Sequence, residues 1–565
     1  MTTTEMPQVT AEEPAAQTAR SRWNWPVALL VLLAAVPVVS MIVEVLRSPR
    51  LNFLDYWSVL GLASTPSGQY HLGGLFVLYN GHPVVIAGTL FWLDAKFFGG
   101  SNPALGLLVV VLSLVVVAAM ASMLPRRLSA VKRAGLVAGF AFLMFSPGNM
   151  ENFGEGMSGT HWLSGLAPAI VAIALAHRGR TVLALVVAVI ACLGHGAAFP
   201  VWAALALIAW LRGDRPWKVV TPIVVAVLGG AVAYWTLPSS GSIPLPTFAL
   251  DRLLAVVSGT LGMLWSTQIP DQAMLAGALS LIVLVVGIAL VVRSRTLRPE
   301  LRGPADEPVD NAGWTGLSVH ILLAAIMIGI SRAGLGDTVG ESGRYAVISG
   351  IAACSVVAMV VLLWRKLAVL PAVVIAVTAG LVTFTMGSEQ ATNVRNQYPD
   401  QTVLAIAAQL DATKSMTGLR MNTSILPVVK GLGAYPFTKD FSLDCGGIEL
   451  GSKLDVSQAP VLPGGPGHGR SGGYVESGPV VGDAVLGGWA MIDNKGPDCV
   501  LVVDDQHNVV GGGAVGIRRG DVAAAMHSST FETGWHAVAA PQATNPQVVV
   551  IAAGKPYRLP VAPKQ

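Results

Sequence analysis

Long apolar runs separated by short polar connections dominate the first two thirds of the chain. They fall at about 25–46, 104–124, 134–148, 162–177, 181–198, 200–211, 218–237, 272–292, 314–331, 345–364 and 368–386. The longest hold roughly 18 to 22 residues, enough to cross a hydrocarbon core of about 30 Å. The pattern predicts a polytopic α-helical membrane domain over 25–390 with about eleven transmembrane helices, preceded by a disordered cytoplasmic tail over 1–24. The first run lacks an A-x-A cleavage site and exceeds a signal-peptide core, so it is expected to be retained.

Alternate connections are strongly basic: Arg126, Arg127, Lys132 and Arg133; Arg178 and Arg180; Arg212, Arg215 and Lys218; Arg293, Arg295, Arg298 and Arg302; Arg365 and Lys366. The positive-inside rule places these in the cytoplasm. An odd number of crossings from a cytoplasmic N-terminus then leaves everything after Met386 outside. The apolar stretch 82–98 carries Asp94 and Lys96, and counting it as a span would turn every basic cluster outward. It is therefore expected to be an interfacial or re-entrant helix within a first outer loop over 47–102.

Beyond 390 the pattern changes. Residues 391–423 read as a helical stalk with Val403, Ile406, Ala407 and Leu410 on one side. From 424 to 565, short apolar runs alternate with Gly, Pro and Asp, which predicts an extracytoplasmic antiparallel β-sandwich domain with a hairpin around Gly554-Lys555-Pro556. Trp489, Trp535 and Tyr557 are candidates for stacking on sugars, with core packing the commoner role for such aromatics. The Gly/Pro-rich stretch 460–473 reads as a flexible loop. Cys445 and Cys499 both fall in this domain, where an oxidising compartment favours a disulfide between them. Closing that loop is worth about 4 kcal/mol in the chain-entropy model. Cys192 and Cys354 fall inside membrane helices as buried thiols.

Composition agrees: 53% of residues are hydrophobic and 12% charged, against roughly 25% charged in soluble domains. The net charge of +4 comes from short clusters between apolar runs, not from one basic face, so no nucleic-acid partner is expected. No phosphate-binding loop, dinucleotide fingerprint, zinc-protease motif or metal-spaced Cys/His cluster occurs.

Chemistry is sought among ionisable residues at one membrane face, because a charge at the bilayer centre costs at least about 2.5 kcal/mol. The first outer loop opens with Leu51-Asn52-Phe53-Leu54-Asp55-Tyr56-Trp57 and adds His71 and Asn80-Gly81-His82-Pro83. The next outer loop carries Glu151, Asn152, Glu155 and His161. Later ones hold Trp265, Gln268 and Asp271, then Arg332, Asp337, Glu341, Arg344 and Tyr345. Such a set suits group transfer from a lipid-linked phosphate. A carboxylate at that boundary can take the proton of an acceptor hydroxyl, and Asp55 is the first choice for it. His82, Arg344, Tyr345, Glu151, Glu155, His161, Arg332 and Trp57 are the candidates for binding donor phosphate and sugar. Each has a plainer alternative: Asp55 as a helix cap, the glutamates as solvated loop charges, the arginines as interfacial anchors. His177 and His195 read as structural.

Together Phe53-Leu54-Asp55-Tyr56-Trp57, Asn80-Gly81-His82, Phe91-Trp92-Leu93-Asp94, Glu151-Asn152-Phe153-Gly154 and Arg344-Tyr345 resemble the GT-C superfamily of polytopic glycosyltransferases, over about 25–390. The resemblance implies a polyprenyl-phosphate sugar donor, a glycan, glycolipid or protein acceptor, and an inverting single displacement with Asp55 as base. Many members carry two adjacent acids in the first loop. Tyr56 stands at the second position here, so no cofactor is assigned and a divalent metal is left open. The Ala/Val/Gly-rich, lysine-poor composition looks actinobacterial, where arabinan and mannan envelope glycans are built by such enzymes. The competing class is a transporter or flippase of envelope precursors. It would need ionisable residues near the midplane, whereas these lie at one face, and no inverted repeat or obvious pair of broken helices occurs, although Gly194, Gly196 and Pro200 interrupt one segment.

Overall fold

The computed structural model describes residues 25–240, 246, 248–266, 271–297, 307–363, 369–465 and 470–563. The expected tail over 1–24, the basic residues Arg298, Arg302, Arg365 and Lys366, and the candidate Gln268 lie outside them.

Among the described residues, eight helices are long and apolar enough to cross a membrane, from Trp25–Arg47 through Val373–Gln409. A ninth arises if Ala130–Met144 and Pro147–Gly154, bent by 43°, count as one. The bend falls at Ser146-Pro147. Proline removes a backbone donor and drives its predecessor out of helical geometry. The outside of the bundle is as apolar as its interior: Leu29, Leu32, Val182, Val227, Ile282 and Val286 are exposed. A surface of that kind calls for a hydrocarbon surround.

Two of the roughly eleven expected spans are shorter than these helices. Thr181–Gly194 has 14 residues and Val201–Leu211 has 11, so the longer rises about 21 Å. They form a helical hairpin with His195 at its tip. One helix escaped the hydropathy pattern altogether. Leu250–Gly262 buries Val256 through Gly262 against Gln272–Leu297, and its Asp251, Arg252 and small residues hide it from a search for apolar runs. The two helices touch backbone to backbone. A β-carbon on Gly262 would lie 1.7 Å from the Ala273 oxygen, and one on Gly277 would lie 1.7 Å from that of Ser258. Small residues allow this approach.

The basic clusters gather at one end of the bundle. Arg178 donates to the Ser122 carbonyl and Arg212 to that of His177. Arg295 packs beside Gly213, and Arg127 pairs with Asp310 at 3.3 Å. His177 sits among them, its Nδ1 accepting the Gly313 N–H at 3.2 Å, in the structural role expected of it.

At the opposite end lies the 47–102 loop. The stretch read as an interfacial helix is the helix Val85–Phe97, too short to span. It packs on the helix Asp55–Ala63. Asp94 ties the loop together, accepting from Tyr56 Oη at 3.1 Å, Asn52 Nδ2 at 3.3 Å and the Ser101 N–H at 3.2 Å. Burial pushes its carboxyl up to about 7.

The segment 391–423 is helical as expected, in Ser388–Arg395, Tyr398–Gln409 and Thr413–Gly418. It is no free stalk. Val403 through Ala408 are all buried, sharing one apolar cluster with Trp57 and Phe91 of the loop and with Leu501 and Val538 of the C-terminal sheet. The sheet itself differs from the expected two-layer sandwich. Its seven strands form one continuous antiparallel sheet that runs from Lys555–Arg558 at one edge to Gly472–Val475 at the other. Tyr398–Gln409 packs on its strands Val509–Arg518 and Glu532–Ala539, burying a face that a second sheet would otherwise cover. The predicted hairpin pairs Gln547–Ala552 with Lys555–Arg558. Ala553 and Gly554 take positive φ at its tip, one step before the expected turn. The stretch 460–473 is pinned rather than loose at its described ends: Leu462 N–H bonds to the Arg558 oxygen and Gly473 N–H to that of Pro463. Cys445 and Cys499 form the disulfide, with α-carbons 5.5 Å apart.

Candidate functional site

The site begins at a two-residue turn. Asn80 and Gly81 both have positive φ, 49° and 81°, the geometry of a type I′ turn, which Asn-Gly favours. The turn sets Tyr79 directly opposite His82 in a short antiparallel pair. The hairpin is held from the side: Leu78 N–H bonds to the Pro238 oxygen and Asn80 N–H to that of Ser240, each at 2.9 Å.

From one side of this hairpin, Tyr79 Oη donates to Asp55 Oδ1 at 3.0 Å. Asp55 is the first residue of its helix, which has no side-chain cap on its preceding residue Leu54. From the other side, the His82 ring stacks on His195 at 4.3 Å between centroids. His161 meets both rings edge-on, at 4.8 Å from His195 and 6.3 Å from His82. Trp162 closes over His195 at 4.1 Å. The Nδ1 of His195 accepts the Ala197 N–H at 3.0 Å, which leaves the proton of its neutral form on Nε2. Burial, then His161 and Arg332, push the His82 imidazole down to about 3, so its ring is neutral.

A second group continues from the first. Trp162 contacts Tyr345 at 5.5 Å, and the neighbouring Arg344 approaches Glu151 at 3.9 Å. Asn152 bridges the same strands of chain through the Arg344 oxygen at 3.1 Å. His161 lies within electrostatic reach of both Asp55 and Arg344, so the two groups share one region. Arg332 reaches His82 and His195 electrostatically.

Glu155 is buried. Burial first, and then Glu151, push its carboxyl up to about 8 against the pull of Arg344. Its folded pKa exceeds its ordinary value, so the fold holds a proton that the unfolded chain releases. Its stabilising contribution is complete below about pH 4.5 and is lost as pH rises through about 8. Glu155→Gln is expected to flatten the Tm-against-pH curve over that window and to raise Tm at pH 8 to 9. A curve unchanged by the substitution would contradict this placement.

The structure thus brings together Asp55, His82, Glu151, Glu155, His161, Arg332, Arg344 and Tyr345. It does not bring Trp57, whose ring is 2% exposed inside the loop's apolar cluster. The aromatics of the sheet take the commoner of their two expected roles: Trp489 and Trp535 are 4% and 0% exposed and pack in the core. Tyr557 packs partly buried against the sheet's core. His71 is exposed against Gly73 and Gly74, and Asp337 pairs with Arg252 at 3.9 Å.

Two residues of the site were not singled out by sequence reasoning. His195 reads from the sequence as structural, being close to a helix end. Tyr79 is overshadowed by the more conspicuous Asn80-Gly81-His82. Glycines are the signal that was available: a β-carbon on Gly196 would lie 2.7 Å from His82 Nδ1, and one on Gly343 would lie 2.3 Å from Glu151 Oε2. Gly196→Ala is therefore expected to push His82 off His195 while the bundle stays folded. Histidine NMR shifts and thermal melts check this; an unchanged His82 environment in the variant would contradict it.

Among the described residues, no group of three or more His, Cys, Asp or Glu is arranged to hold a metal ion. Tyr56 is buried and bonded to Asp94. No protein-family model, no curated protein and no solved structure matches the chain.

Proposed function

We propose that the chain is a membrane glycosyltransferase of the GT-C kind. It transfers a sugar from a polyprenyl-phosphate donor to an envelope glycan, glycolipid or protein, on the extracytoplasmic face of a bacterial plasma membrane. In this reading the N-terminus is cytoplasmic and the C-terminal sheet domain lies outside. The observation that carries the proposal is the convergence of one half-buried carboxylate, three imidazoles, two arginines and two glutamates, drawn from separate chain segments, at the end of the bundle opposite the basic clusters.

The chemistry is a single displacement. Asp55 accepts the proton of the acceptor hydroxyl as its oxygen bonds to the anomeric carbon. The bond from that carbon to the donor phosphate breaks, and its electron pair leaves with the phosphate. Arg332 and Arg344 stabilise the departing charge through charge-assisted hydrogen bonds. The imidazoles supply donors at the wall of the recess. The short helical hairpin ending at His195 favours such a recess, because its tip stops below the height of a full span. A shallow groove of about 320 Å³ on the sheet, with Glu476, Ser477, Arg519 and His536 around Gly487 and Gly488, is a suitable place for the acceptor glycan.

The test is envelope glycan analysis of a deletion strain complemented with wild type or with Asp55→Asn. The reading expects one glycan component to be lost on deletion, restored by wild type and not restored by the variant. Restoration by the variant, or an unchanged envelope on deletion, would sink it.

A further inference from the structure

Aspartate at the start of a helix ordinarily turns its side chain back onto the first backbone N–H groups, where a carboxylate is stabilised by the helix terminus. Asp55 occupies such a position, yet the bond its carboxylate accepts comes from Tyr79, at 3.0 Å to Oδ1. Among the described residues no hydrogen bond falls on Oδ2. Tyr79 has little freedom to move. Its strand is paired to His82 in fixed register, its neighbours bond to the backbone at Pro238 and Ser240, and the Asn80-Gly81 turn permits no register slip.

We propose that Tyr79 is the positioning residue for Asp55: the hairpin 78–83 holds one carboxylate oxygen so that the other faces the imidazole wall, ready for the acceptor's proton. This rests on the reading of Asp55 as the base of a glycosyl transfer. Tyr79 keeps its own proton throughout. The proton moves from the acceptor hydroxyl to Asp55 Oδ2, and Tyr79 acts only by orienting that atom. One hairpin therefore sets both halves of the site, with Tyr79 holding the carboxylate and His82 holding the imidazole stack. The alternative role for Tyr79 is simple packing, since most of its surface is already covered. A packing role needs the ring and not the hydroxyl.

Tyr79→Phe separates the two, because it keeps the ring and removes the hydroxyl. With purified protein and a polyprenyl-phosphate sugar, kcat is expected to fall about 10- to 100-fold, the worth of a hydrogen bond to a charged group, while KM for the lipid donor stays within about twofold. Infrared difference spectra of wild type minus Asp55→Asn isolate the Asp55 carboxylate band. That band is expected to shift in the Tyr79→Phe background, where the difference is taken against the double variant. An unshifted band, or a wild-type kcat in Tyr79→Phe, would overturn the proposal. The infrared arm does not depend on turnover. If wild-type protein transfers no sugar from any donor, the transferase reading fails, and the band still decides whether Tyr79 holds Asp55.

Discussion

Asp55→Asn is expected to lower sugar transfer by about 10² to 10⁴-fold, the range for removal of a positioned general base. The substitution keeps the shape of the side chain and leaves an amide oxygen to accept from Tyr79 Oη. Asp55 is only half-buried at the start of its helix and makes no bond that closes the bundle. Expression, membrane insertion and thermal stability are therefore expected to stay at wild-type levels. Loss of activity together with loss of folded protein would mean that the carboxylate is structural. Loss of activity alone assigns it to the reaction.

Gly277→Val is expected to have the largest effect on stability, about 3 kcal/mol or more, beyond the usual cost of overpacking. The reason is geometric. Ordinary overpacking displaces a flexible side chain, but here the new atoms meet the Ser258 carbonyl and the Gly262 backbone nitrogen, which a β-carbon would approach to 1.7 and 2.8 Å. Helix Gln272–Leu297 would have to leave helix Leu250–Gly262. The latter also packs against Gly340, near the Glu341 to Arg344 stretch that carries one side of the site, so activity is expected to fall with the fold. Thermal unfolding in detergent measures this. A Gly277→Val protein with unchanged Tm would show that the helices are not in backbone contact.

The contrast between these two substitutions shows what the sequence made legible. Asp55 and Arg344 were readable because charges are costly in a membrane, so those at one face stand out against apolar runs. The same logic found the helix at 85–97 and kept it from being counted as a span. Hydropathy could not see Leu250–Gly262, whose burial depends on one amphipathic side and on glycine contacts, nor the lengths at which the helices 181–194 and 201–211 end. It also misjudged 391–423. A helix reading Val-Leu-Ala-Ile-Ala-Ala has no polar side, which signals burial on all sides rather than a stalk. In the sheet domain, strand and turn positions were legible from local chemistry, whereas the number of layers depends on what covers each face. His195 shows the same limit within the site. Nothing in its neighbours along the chain marks it, and its partners His161 and His82 lie over thirty and over a hundred residues away.

The most direct measurement uses purified protein in bilayers, offered polyprenyl-phosphate sugars labelled in the sugar together with a mixture of envelope glycan acceptors. The prediction is that wild type moves label from lipid to glycan with inversion at the anomeric carbon, and that Asp55→Asn does not. Equal transfer by both proteins, or label that crosses the bilayer still attached to its lipid, would contradict it.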